Sequence, residues 1–166
     1  MLDTETFESA ARLLDELREA GLRVASAESC TGGLIAAALT SVAGSSDVFD
    51  RGFVTYSNEA KCELLGINPE LIARHGAVSG EVAKAMALGG LEHSPADICV
   101  GVTGIAGPAG GSDEKPVGLV FIAAARRNFE CIVEKNLFGD VGRARIRQLS
   151  VMAALELVRI MAGHRT

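Results

Sequence analysis

The sequence predicts an α/β fold, a single domain over residues 1–166 built as a three-layer α/β/α sandwich around a mixed central sheet. Three observations carry that expectation. The length is enough for one ordinary hydrophobic core and leaves no room for a second substrate domain. Apolar runs of strand length alternate with helical stretches, and one of them turns through a polar, glycine-containing segment directly into a helix. Two strand-like runs near 117–137 are separated by too short a linker for a parallel crossover, so they pair antiparallel.

Phe7, Ala10, Leu14 and Leu17 recur at helical spacing, with Asp3 or Thr4 placed to cap the start and Gly21 to end the helix. Residues 22–27 read as a short strand, and Glu28-Ser29-Cys30-Thr31-Gly32-Gly33 turns into a helix carrying Leu34, Ile35, Ala38, Leu39 and Val42. Residues 52–56 give a second strand. Ser57 or Asn58 caps a short helix through Ala60, Lys61, Leu64 and Leu65, and Asn68-Pro69 opens another. Ser79-Gly80-Glu81-Val82 starts a helix through Met86, Leu88 and Leu91. Residues 97–103 form a buried strand that ends in the glycine-rich run 104–111. Residues 117–124 and 130–137 make the antiparallel pair. A closing helix has Ile146, Leu149, Ala153, Leu157 and Ile160 on its apolar stripe. No internal repeat or linker divides the chain.

Composition excludes several classes. Hydrophobic residues are 48% and charged residues 22%, which is ordinary globular usage. With no Trp and one Tyr, a base-stacking surface for single-stranded nucleic acid is not supported. The net charge of −5 argues against a general polyanion binder, although residues 126–166 hold eight Lys and Arg against four acids. The cluster Arg143, Arg145, Arg147 suits one phosphate or a solvated helix face. Cys30, Cys62, Cys99 and Cys131 form no C-x-x-C pair, so neither a zinc site nor any other metal or cofactor is expected. The N-terminus carries early acids and a polar face, reading as neither signal peptide nor membrane span. The expected location is the cytoplasm, with reduced thiols and no membrane partner. Alanine-rich helices are able to cover the sheet or to bury a homo-oligomer interface.

Ser29 sits where a strand gives way to a helix, a place where free N–H groups can cap, or can stabilise an oxyanion. Gly32 and Gly33 cost the helix about 1 kcal/mol each relative to Ala, which implies close approach of another group. A serine nucleophile needs a base. His75 and His93 fall at helix ends and His164 in the tail, and no G-x-S-x-G elbow is present, so a Ser-His-Asp triad is disfavoured. Lys61, the only lysine in the first half of the chain, can serve if burial lowers its pKa; otherwise it is a solvated helix lysine. Tyr56 is either a core tyrosine or an aid to that lysine. Cys30 is the rival nucleophile. The loop from Thr103 to Gly111 matches neither a Walker loop nor G-x-G-x-x-G, but it offers backbone donors to an anion.

These residues fall within four long motifs: Ala27-Glu28-Ser29-Cys30-Thr31-Gly32-Gly33; Arg51-Gly52-Phe53-Val54-Thr55-Tyr56-Ser57-Asn58-Glu59-Ala60-Lys61; His75-Gly76-Ala77-Val78-Ser79; and Thr103-Gly104-Ile105-Ala106-Gly107-Pro108, followed by Gly110-Gly111-Ser112 and Lys115-Pro116-Val117-Gly118. In that order they resemble the CinA C-terminal-domain family across nearly the whole chain. The resemblance implies hydrolysis of nicotinamide mononucleotide to nicotinic acid mononucleotide and ammonia, a step of pyridine-nucleotide salvage. It implies Ser29 as nucleophile, assisted by Lys61 and Tyr56. The implied substrate-binding residues are Glu28, Cys30, Thr31, Gly32, Gly33, Thr103, Gly104, Ala106 and Gly107, with Arg143 and Arg147 aligned to the family's two arginines. That alignment crosses an apparent two-residue insertion, which leaves Arg145 as an alternative. A non-catalytic nucleotide-binding or partner-docking module is the competing reading.

Overall fold

The computed structural model describes residues 3–163. In chain order the helices are α1 (Thr4–Ala20), α2 (Leu34–Thr40), α3 (Asn58–Leu65), α4 (Pro69–His75), α5 (Gly80–Glu92) and α6 (Arg143–Gly163). The strands are β1 (Val24–Glu28), β2 (Phe49–Val54), β3 (Ile98–Gly104), β4 (Leu119–Arg126) and β5 (Ile132–Leu137). They form one sheet in the order β2-β1-β3-β4-β5, parallel from β2 to β3 and antiparallel from β3 to β5. The sheet is therefore mixed, as the short 127–131 connection between β4 and β5 requires.

Helix starts follow the capping residues. Asp3, Ser57, Asn68 and Ser79 each accept a hydrogen bond from a first-turn N–H, and Gly21 and Gly66 close α1 and α3 in the left-handed conformation. One face of the sheet is covered by α1, α2 and α6, and the other by α3, α4 and α5. Alternate strand residues serve the two layers: Val24, Ile98, Val100, Val102, Val120 and Ile122 join the first core, while Ala25, Ala27, Cys99, Ala123 and Ala125 join the second. The small residues of the second set let α5 lie close against the sheet. A Cβ on Gly101 would stand 2.5 Å from the Ala83 carbonyl oxygen, and one on Gly90 would collide with Cys99 Sγ.

The expected apolar stripes need correction in detail. Phe7, Leu64, Leu88 and Ile160 are exposed, whereas Thr6, Leu13, Val151, Leu155 and Met161 are buried. Helix α6 packs on β3, β4, α1 and α2 together, so its buried face is wider than a single stripe at three-and-four spacing. Among the described residues no helix is long and apolar enough to cross a membrane. His164 lies outside the described residues.

Candidate active site

The carboxyl ends of the three parallel strands lie side by side, the position at which open α/β sheets hold ligands. Strand β1 ends at Glu28, and Ser29 follows it, held to β3 by its N–H donating to the Val102 carbonyl at 3.0 Å. Beyond β2, the Thr55 N–H donates to the Glu28 carbonyl at 2.8 Å, fixing the segment that leads into α3 beside Ser29.

Lys61 is placed by this arrangement. Capped by Ser57, α3 directs Lys61 inward, and only 2% of the residue remains exposed. Its Nζ lies 3.1 Å from Ser29 Oγ and donates to the Thr55 carbonyl at 3.0 Å. Burial removes water from the ammonium form and lowers its pKa from the ordinary lysine value. Nζ thus donates to both oxygens; once the amine is neutral, its lone pair can accept the serine proton in turn.

The turn after Ser29 owes its shape to Gly32 and Gly33, with φ of +57° and +95°, where a side chain would be strained. Gly32 also leaves room for Arg147, since a Cβ there would sit 3.2 Å from the guanidinium. The close approach inferred from the two glycines is thus made by a residue of the chain itself.

Several residues expected to bind substrate have their side chains occupied elsewhere. Glu28 is wholly buried: Oε2 accepts from the N–H groups of Gly33 and Ile35, and Oε1 from Ala36 N–H and Ser26 Oγ. It caps the start of α2 from the preceding strand. The N–H groups of Gly33, Ile35 and Ala36 are therefore not free to meet an oxyanion. The Thr103 hydroxyl donates to the Ala77 carbonyl at 2.8 Å, whereas Thr31 is wholly buried with its hydroxyl lacking a hydrogen-bond partner among the described residues. The Cys30 thiol lies in the first core, where burial pushes its pKa up to about 11, which suppresses the thiolate a cysteine nucleophile needs.

The arginine cluster divides. Arg143 donates to the Gly107 carbonyl at 2.9 Å and to the Tyr56 hydroxyl at 2.8 Å, linking the glycine loop to the segment after β2. Tyr56 is 61% exposed, not a core tyrosine, because β2 ends two residues earlier. Arg147 donates to the carbonyls of Cys30 and Thr31 at 3.1 and 2.9 Å. Arg145 turns away to Gln148. Gly104 must be glycine, since a Cβ would meet the Leu119 carbonyl oxygen at 2.9 Å; Ala106 is buried, and Gly107 has a φ of +75°.

Neither described histidine is bonded to Ser29. His93 Nδ1 is engaged with the Gly89 carbonyl, and His75 faces Glu81. Among the described residues no group of His, Cys, Asp and Glu is placed to hold a metal ion. Two contributors were missed by sequence reasoning. The Thr55 carbonyl acts through the backbone and leaves no signal in residue type. Lys115 lies in a quoted motif but was given no role; its Nζ donates to the His75 and Val78 carbonyls, both at 2.8 Å, and so ties the loop before α5 to the glycine-rich segment.

The fold and site define an α/β protein with a buried lysine hydrogen-bonded to a serine at the carboxyl ends of its parallel strands. The chain belongs to the CinA C-terminal domain family, which it matches over residues 6–162. A solved structure titled competence/damage inducible protein CihA, from Agrobacterium tumefaciens, is 49% identical with a TM-score of 0.95, covering 99% of each chain. The competence damage-inducible protein A (ComA) of Klebsiella pneumoniae is 35% identical with a TM-score of 0.91, covering 97% of this chain and 99% of that one. The Nicotinamide-nucleotide amidohydrolase PncC of Escherichia coli K12 is 46% identical over 94% of both proteins. A putative competence-damage inducible protein of Caldicellulosiruptor saccharolyticus is 49% identical over 95% of this chain, which spans only 38% of that longer protein.

Proposed function

We propose that this chain is a nicotinamide-nucleotide amidohydrolase that converts nicotinamide mononucleotide to nicotinic acid mononucleotide and ammonia, with Ser29 as nucleophile and Lys61 as base, in cytoplasmic pyridine-nucleotide salvage. The observation that carries the reading is the 3.1 Å contact between the buried Lys61 Nζ and Ser29 Oγ. Likeness to the Escherichia coli amidohydrolase over nearly its full length supports the substrate class.

Neutral Lys61 takes the Ser29 proton as Oγ bonds to the carboxamide carbon, and the carbonyl oxygen becomes an oxyanion. The lysine returns the proton to nitrogen, the C–N bond breaks and ammonia leaves. Lys61 then deprotonates a water that attacks the acyl-serine, releasing the carboxylate and restoring the hydroxyl. Burial favours this chemistry because the base must be free of its proton at working pH. Arg143, set between Tyr56 and Gly107, supplies the positive charge suited to the nucleotide phosphate.

Ammonia release measured with nicotinamide mononucleotide, nicotinamide riboside and a simple amide tests the proposal. Turnover of the mononucleotide alone is the expected result. Binding of the nucleotide without ammonia release would favour the competing reading, a non-catalytic binding module.

A further inference from the structure

We infer that Arg147 is a positioning residue that aims the oxyanion donors of this site, not a ligand of the substrate phosphate. The inference rests on the reading of Ser29 as nucleophile and begins with the N–H groups around it.

Ser29 N–H is bonded to the Val102 carbonyl, Gly32 N–H to the Ser29 carbonyl, and Leu34 N–H to the Thr31 carbonyl. Those of Gly33, Ile35 and Ala36 are taken by Glu28. Among the described residues, only the N–H groups of Cys30 and Thr31 in the stretch 29–36 meet no oxygen acceptor; both face the Cys30 sulfur, a weak acceptor. Both residues are buried, and a buried N–H with only a weak sulfur acceptor is poorly satisfied. Two such donors directly after the nucleophile are placed for an oxygen that arrives with the substrate.

Arg147 sets the direction of the second donor. A trans peptide is planar, with its C=O and N–H pointing oppositely. The Cys30 carbonyl, pinned to Arg147 Nε at 3.1 Å, belongs to the same peptide as Thr31 N–H and sends that donor away from the guanidinium. The second bond, to the Thr31 carbonyl at 2.9 Å, fixes the next peptide, whose Gly32 N–H turns back to Ser29. A cation on the carbonyl end also strengthens the N–H at the other end of the peptide. Arg147 places Nε and Nη2 on two backbone carbonyls beside the nucleophile, whereas Arg143 stands at the exposed side with Tyr56.

Replacing Arg147 with Lys keeps the charge and loses the two-pronged grip. Complete loss of one oxyanion donor costs about a hundredfold to a thousandfold in kcat, so misaiming one is expected to lower kcat by roughly tenfold to a hundredfold. KM for nicotinamide mononucleotide stays within about twofold, because no uniform binding is lost. A KM raised tenfold with kcat intact would make Arg147 a phosphate ligand and overturn the inference.

An alkyl fluorophosphonate supplies a test independent of the natural substrate. Ser29 Oγ bonds to phosphorus, the P–F bond breaks, fluoride leaves and the serine proton passes to Lys61, while the phosphonyl oxygen occupies the oxyanion position. The variant should be labelled more slowly than the wild type. Equal rates remove the role of Arg147 alone, whereas no labelling of the wild type removes the nucleophile and the inference with it. On the wild-type adduct, the Cys30 and Thr31 amide proton resonances should move downfield; unmoved resonances reject those donors without relying on any variant.

Discussion

Replacing Glu28 with Gln changes one oxygen of a wholly buried carboxylate into an amide nitrogen and tests whether this residue builds the turn that presents Ser29. The carboxylate accepts four hydrogen bonds, two on each oxygen, at 2.9 to 3.0 Å. Glutamine keeps the shape but has one acceptor oxygen, and its NH₂ is best placed toward Ser26, whose hydroxyl can accept from it, leaving the Ala36 N–H without its acceptor. A hydrogen bond to a charged group contributes about 1.5–3 kcal/mol, and the loss of that one bond costs about as much. A domain of this size has roughly 5–15 kcal/mol in total, so the loss is large but measurable. Urea unfolding followed by circular dichroism should show a lowered midpoint with an unchanged slope. A loss below about 1 kcal/mol would refute the argument that Glu28 holds the start of α2.

Because the base must be neutral, kcat/KM for ammonia release should rise with pH as Lys61 loses its proton, with a midpoint below 10.5; a rate that falls across the neutral to alkaline range contradicts the assignment. The same lowered pKa links stability to pH. Between the folded and unfolded values the unfolded chain binds more protons, so native stability rises with pH in that window, by about 1.4 kcal/mol in all for each unit of depression. Lys61→Met removes this slope and abolishes turnover. Unfolding midpoints of the two proteins measured across that range should shift in favour of the wild type as pH rises, and identical pH dependence would show that Lys61 is not depressed.

Much of the fold was legible because local chemistry and tertiary packing agree. Asp3, Ser57, Asn68 and Ser79 are capping residues in sequence and in structure. The buried strands read as apolar runs because both faces of the sheet are covered. Local periodicity failed where a helix meets several elements at once, as for Phe7 and Ile160.

Within the site, the pairing of Ser29 and Lys61 was anticipated from the order of the motifs and the family they resemble; residue type alone left Lys61 equally a solvated helix lysine. The roles of Glu28 and Arg147 were not anticipated. Glu28 caps a helix that starts six positions later, beyond the spacing of ordinary capping motifs, and Arg147 acts on carbonyls more than a hundred residues away. Neither relation exists until β1, α2 and α6 are packed.

The most direct test of the account is ammonia release from nicotinamide mononucleotide by the wild type and by Ser29→Ala, with urea unfolding of both as a control. The half-buried serine follows β1 and, among the described residues, its hydroxyl bonds only to Lys61, so the variant should fold with nearly unchanged stability. The expected result is one ammonia per nucleotide from the wild type and none above the uncatalysed rate from the variant. Normal turnover by Ser29→Ala, or a folded wild type that releases no ammonia, would contradict it.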